Sequence, residues 1–375
     1  MPIKRLCHTM LVLSALVLLA SSASGQIIRG QPTSGSSGPM YTYWKLTPDT
    51  GEAFTISQFM VPLSGLLPIR DNTEMRFYVA SAVNSLEDTD GKADVTGLTD
   101  FRVQFNRSLL DDRFLLSLGF NLPTGKRKLD LTNERRVIDV LSESFLDFPM
   151  RRYGEGFGFN LLAGAARNLG PVNAGAGIMY EYTGAYEPYE GVDSYDPGDL
   201  INASVGAEMK HGRMSWTGDV IFTAYVADKL DGAKVFRQGR QLDFQLGGQY
   251  SMERHRARGS LRYGIRGRNS RYDASSEKVT ERLKLYGNEF QISGDFAYFL
   301  PRAWYLTPSG SLKLIESNEE GFGNSHTLTL GAALGRSLGE RFNLELGGKY
   351  LTGRADGGKI DLTGFQIVTS LVGTL

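Results

Sequence analysis

His326–Tyr350 reads HTLTLGAALGRSLGERFNLELGGKY, and Phe365–Leu375 reads FQIVTSLVGTL. In the first stretch Leu328, Leu330, Ala332 and Leu334 share one parity, with Thr327, Thr329, Gly331, Ala333 and Gly335 on the other. After Gly339–Glu340 the alternation resumes with Phe342, Leu344 and Leu346 against Asn343, Glu345 and Gly347, and it returns with Phe365, Ile367, Thr369 and Leu371. A period of two is the signature of a strand with one apolar face. Three such strands joined by short polar turns predict the closing staves of an all-β, closed, antiparallel transmembrane β-barrel.

The pattern recurs upstream. Phe114, Leu116, Leu118, Phe120 and Leu122 share a parity, as do Val172, Ala174, Ala176, Ile178, Tyr180 and Tyr182. Leu242, Phe244 and Leu246, then Leu261, Tyr263 and Ile265, then Phe290, Ile292 and Phe296 continue it. The opposite face is rich in Gly, Asn, Gln, Ser and charge, which argues against a secreted sandwich. The mean hydropathy of −0.23 fits, because a barrel needs only every second residue to be apolar. Lys plus Arg and Asp plus Glu both number 41, so nothing marks a nucleic-acid binder.

At the amino end, Lys4 and Arg5 precede an apolar run from Met10 to Ala20 and the small residues Ser21–Gly25. This predicts a cleaved signal peptide over 1–25, a short flexible segment over 26–39 and a barrel over 40–375, placed in the bacterial outer membrane. The single cysteine, Cys7, lies in the signal, and His211, His255 and His326 are too scattered for a metal centre. No cofactor and no metal are expected. The expected partners are outer-membrane lipids and lipopolysaccharide, the barrel-assembly machinery and a small-molecule solute.

Connections alternate between short ones, such as Leu110–Arg113 and Gly339–Arg341, and longer ones at 86–97, 126–155, 187–199, 230–238, 271–287, 317–324 and 355–361. Short turns belong in the periplasm and longer loops outside. With Gly65–Asn72 as a periplasmic turn and Met40–Leu46 as the first outward strand, the count is sixteen strands, or fourteen if 40–63 is irregular. Trp216, Trp304 and Tyr305 beside short turns, and Tyr182, Tyr186 and Tyr350 near long ones, mark two aromatic girdles.

Between residues 254 and 270, Ala257, Gly259, Leu261, Tyr263 and Ile265 share the outward parity. Arg256, Arg258, Arg262, Arg266 and Arg268 therefore point inward, because charge on the lipid face costs about 2–4 kcal/mol at mid-depth. They form either an arginine ladder that favours anionic solutes or a lattice braced by inward carboxylates such as Asp243 and Asp295. Residues 126–155, with a loose helical period over Asn133–Leu146, either fold into the mouth or cover the rim. Glu87–Asp94 and Glu187–Asp199 read as solvated acidic loops. Asn324-Ser325-His326 is the one cluster with a nucleophile beside a base, and it reads as an ordinary turn; no enzyme is expected.

Gly119-Phe120-Asn121-Leu122-Pro123-Thr124-Gly125 resembles the outer-membrane channels linked to the meta-cleavage pathway of phenol degradation, which are similar to the long-chain fatty-acid transporter superfamily. Asp147-Phe148-Pro149 and the Asn-Leu-Gly turn at 168–170 look like the same group, and the likeness in layout covers residues 53 to 375. Pro123, Thr124 and Gly125 are the motif turn. The resemblance implies passage of hydrophobic or aromatic compounds through a monomeric barrel. Only Gln26–Pro39 precede the first strand here, without the Asn-Pro-Ala motif of the fatty-acid transporters, and Leu375 replaces the usual terminal aromatic. The expected function is a channel for small molecules, either hydrophobic or aromatic compounds or organic acids. The alternative is a non-transport barrel that serves as a structural or surface-interaction protein.

Overall fold

Alternation of this kind leaves each strand with two edges to satisfy, and a ring satisfies them all. The computed structural model describes residues 31–375 apart from residue 193; the signal segment 1–25 and Cys7 lie outside the described residues. Sixteen staves pair antiparallel in chain order. The last strand, Ile360–Thr374, pairs back onto Met40–Pro48 and Ser34–Ser37, which closes the ring. Two staves are interrupted. Ser34–Ser37 and Met40–Pro48 lie end to end between Phe54–Arg70 and Ile360–Thr374. The break falls at Gly38-Pro39, where proline has no N–H to give and its carbonyl accepts from Thr369 instead (2.9 Å). Gly91–Leu98 and Phe101–Leu109 likewise share the edge of Thr73–Asp88.

Three expected boundaries change. The segment 26–39 is not wholly a flexible lead-in, since Ser34–Ser37 is wall, paired on both sides. The strand begun at Phe54 runs to Arg70, so the expected turn at 65–72 shrinks to Asp71–Asn72. Residues 86–97 are a hairpin that carries the wall upward, turning at Thr89–Asp90, not an irregular loop. All the turns at the end that holds Asp71–Asn72 are two to four residues long. At the other end, parts of the segments 187–199, 230–238 and 271–287 build a separate five-stranded sheet.

Burial is inverted relative to a soluble protein. Ile178, Leu246 and Leu346 are 56%, 59% and 57% exposed, a costly arrangement in water and the correct one in lipid. Register aligns these residues into belts: Leu246, Leu261, Ile292, Leu312 and Leu328 are successive cross-strand neighbours on the outer face. Trp216 and Tyr350 lie on this face, and Trp304 does too, with the Arg336 guanidinium 5.2 Å over its ring. Two girdle assignments are corrected. Tyr305 takes the inward parity opposite Leu306 and bonds to Glu345. Tyr186 is buried beside Tyr195 in the material over the loop end.

Candidate functional site

The inside of the barrel gathers many of the polar side chains among the described residues, and residues 126–155 enter it. The segment carries one helix, Glu134–Leu141. Its apolar residues Val137, Ile138, Leu141, Phe145, Leu146 and Phe148 join one core with Trp44, Ile56, Ala82, Val95 and Leu362 of the inner wall. The helical period was readable in the sequence; that its apolar side meets the wall from inside was not. Polar wall residues complete the docking. The Trp44 indole donates to the Leu146 carbonyl (2.9 Å), Gln58 donates to Met150 O (2.6 Å), and Lys313 Nζ reaches Ser144 O (2.7 Å).

Pro123-Thr124-Gly125 is the point where the chain leaves the wall. Asp100, buried in the break between Leu98 and Phe101, accepts from the N–H of Gly125 (2.9 Å), the N–H of Glu155 (2.7 Å) and the Asn121 amide (2.8 Å). One carboxylate thus ties both ends of the inserted segment to the strand they interrupt. Thr124 Oγ1 accepts from Phe101 N (2.8 Å). A side chain at position 125 would place its Cβ 2.7–2.8 Å from Tyr153 O, Asp100 N and Leu98 O, which only glycine avoids. Beside this latch Arg152 pairs with Glu155 (2.9 Å). Burial would raise the Glu155 carboxyl, but Arg152 and Arg102 outweigh it and hold it below its ordinary value.

The arginines divide by position. Arg266 is the most enclosed: its side chain is 7% exposed, 3.2 Å from Asp243 and 3.8 Å from Glu289. Arg262 shares Asp243 at 2.9 Å. These two and Asp243 brace the wall. Arg258, paired with Asp295 at 3.0 Å, keeps a side chain 47% exposed to the lumen. Arg256 faces inward with its Nε buried and unpaired. Arg268 is a correction: the strand ends at Arg266, and Arg268 pairs with Glu319 among the loops, outside the ladder. Spacing revealed the shared face, but the partners depend on register with neighbouring strands.

Open space remains on both sides of the inserted segment. A cavity of about 590 Å³ beside Glu155 is lined by Arg76, Arg102 and Glu181 together with Phe77, Val103, Phe120 and Phe159. Across the barrel, spaces of about 540 and 320 Å³ meet at Ser293, Gly294 and Asp295. Ser325 and His326 do not form a catalytic pair: Ser325 is buried, His326 exposed, and the two are adjacent in a strand, which sends them to opposite faces. Among the described residues, no three His, Cys, Asp or Glu converge to hold a metal.

No protein-family model matches this chain, and no curated protein matches its sequence. Among solved structures it is similar to OpdL of Pseudomonas aeruginosa, with 10% identity over 92% of this chain and 99% of that one and a TM-score of 0.47. A FadL homologue of P. aeruginosa aligns at 8% identity over 94% and 92%, with a TM-score of 0.46. The anion-selective porin from Comamonas acidovorans aligns at 12% over 90% and 98%, with a TM-score of 0.42.

Proposed function

We propose that the protein is a channel of the bacterial outer membrane that passes small polar organic anions through a lumen narrowed by its own inserted segment. The observation that carries this reading is the distribution of free space. Where the inserted segment meets the wall through apolar side chains, the packing is a core. The spaces on the far side present Arg258 and Lys349 to the lumen, and the one beside Lys349 has a mainly polar lining. This favours organic acids over the hydrophobic compounds implied by the resemblance to the phenol-pathway channels. In this reading the apolar belt contacts lipid and lipopolysaccharide, the barrel is delivered by the assembly machinery after removal of the signal segment, and the short turns face the periplasm.

A scaffold without transport is the second reading, favoured by how firmly residues 126–155 are docked. Swelling of liposomes that hold the purified protein separates the two. The channel reading expects faster swelling with small organic acids than with neutral aromatic compounds of equal size. Swelling no faster than in protein-free liposomes for every solute favours the scaffold, and preference for the neutral aromatics returns the hydrophobic reading.

A further inference from the structure

We propose that the larger open side of the lumen holds a binding site for a polyhydroxylated carboxylate, the chemistry of a sugar acid; this rests on the channel reading and deepens it. Register places Thr217, Ser260, Ser293, Ser311 and Thr329 in one row around the inner wall, with only Gly247 between the first two. Ser260 and Ser293 hydroxyls lie 2.6 Å apart. Each hydroxyl both donates and accepts, so a row of them can exchange hydrogen bonds with successive hydroxyls of a solute, whichever way those point. Apolar or aromatic solutes gain nothing from such a row and would leave it unsatisfied.

One row nearer the short turns, Arg258, Asp295, Ser309, Gly331, Lys349 and Gln366 follow one another. The charges here do not cancel. Asp295 is held by Arg258. Asp147, which enters the same space from the inserted segment, is held by Arg151 (3.3 Å) and Lys313 (3.4 Å) and also feels the charge of Lys349. Lys349 is exposed in the lumen and has no ion pair or hydrogen bond among the described residues. Its stem lies over Gly331, where any Cβ would approach Lys349 Cγ to 2.7 Å. The Lys349 stem therefore lies against the wall, one row from the hydroxyls, in a space of about 320 Å³ where the nearby carboxylates Asp147 and Asp295 each have a cation paired already. A carboxylate on Lys349 with its hydroxyls along Ser293, Ser311 and Thr329 uses both features together.

Trp44 lines the same space, whereas Trp216 and Trp304 face lipid, so tryptophan emission of the full-length barrel in detergent reports occupancy without any transport. Titration with D-glucuronate should give a saturable change that Trp44→Phe abolishes. D-Glucose and benzoate should each bind about tenfold more weakly, since each lacks one half of the recognition. Lys349→Gln should weaken glucuronate about tenfold and leave glucose unchanged; Ser311→Ala with Thr329→Val should weaken both sugars and spare benzoate. Benzoate equal to glucuronate would reduce the site to a simple anion site, glucose equal to glucuronate would remove Lys349, and no saturable change with any probe would overturn the proposal. If glucuronate binds but liposomes do not swell, the channel reading fails and the site stands; if they swell without this preference, the site fails alone.

Discussion

Gly125 shows how much one residue settles in this barrel. It stands where a strand stops being wall and becomes lumen filling, hemmed by three backbone atoms, and its N–H is held by Asp100. Gly125→Ala should cost about 1–3 kcal/mol through overpacking and loosen the inserted segment, seen as new trypsin cleavage at Arg127 or Lys128 with the barrel still folded. Unchanged cleavage would mean the latch is not needed for docking. Arg258 and Arg266 make a second contrast. Arg266→Gln leaves the buried Asp243 with Arg262 alone, which costs less than the ~3–5 kcal/mol of a fully stranded buried charge; the melting temperature should fall. Arg258→Gln removes an exposed partner worth about 0–1 kcal/mol, so it should leave melting alone and reduce anion preference. Their common parity was legible from sequence, whereas the difference in their surroundings needed the register.

At the scale of elements, Asp228 links the small sheet over the loop end. Its strand, Asp228–Leu230, pairs with Tyr195–Asp196 and Ala233–Arg237, and its carboxylate accepts from Tyr195 Oη (2.7 Å) and Gly198 N (2.9 Å). Burial pushes the carboxyl up to about 6 in spite of these bonds. The folded value lies above the ordinary 3.8, so the protonated form is the one folding favours. The contribution is full below about pH 4 and lost as pH rises through about 6, on the order of 3 kcal/mol in all. Melting between pH 4 and pH 8 should show this slope, and Asp228→Asn should flatten it. This sheet was not legible in the sequence: its strands are two to six residues long, too short to display a period. The inserted segment was half legible, because a helical period shows which side is apolar and not what it faces. Replacing residues 128–152 by a short Gly-Ser linker should raise single-channel conductance while the barrel keeps its heat-dependent gel mobility; conductance equal to the intact protein would mean the segment does not narrow the path.

For the whole molecule, the sixteen staves were legible because lipid on one side and lumen on the other impose the same alternation on every strand, and because the final strand must close on the first. The contents of the lumen were less so, since inward residues are free of that alternation and are chosen by what must fit or pass. The central claim is that the space left beside the inserted segment conducts, and that Arg258 and Lys349 give it its sign. The most direct test is the reversal potential of the purified mature protein in a planar bilayer under a tenfold KCl gradient. The account predicts discrete conductance steps with an anion-selective reversal potential that moves toward zero in the Arg258→Gln, Lys349→Gln double variant. A folded barrel that gives no steps, or a cation-selective potential unaffected by these two substitutions, would contradict it.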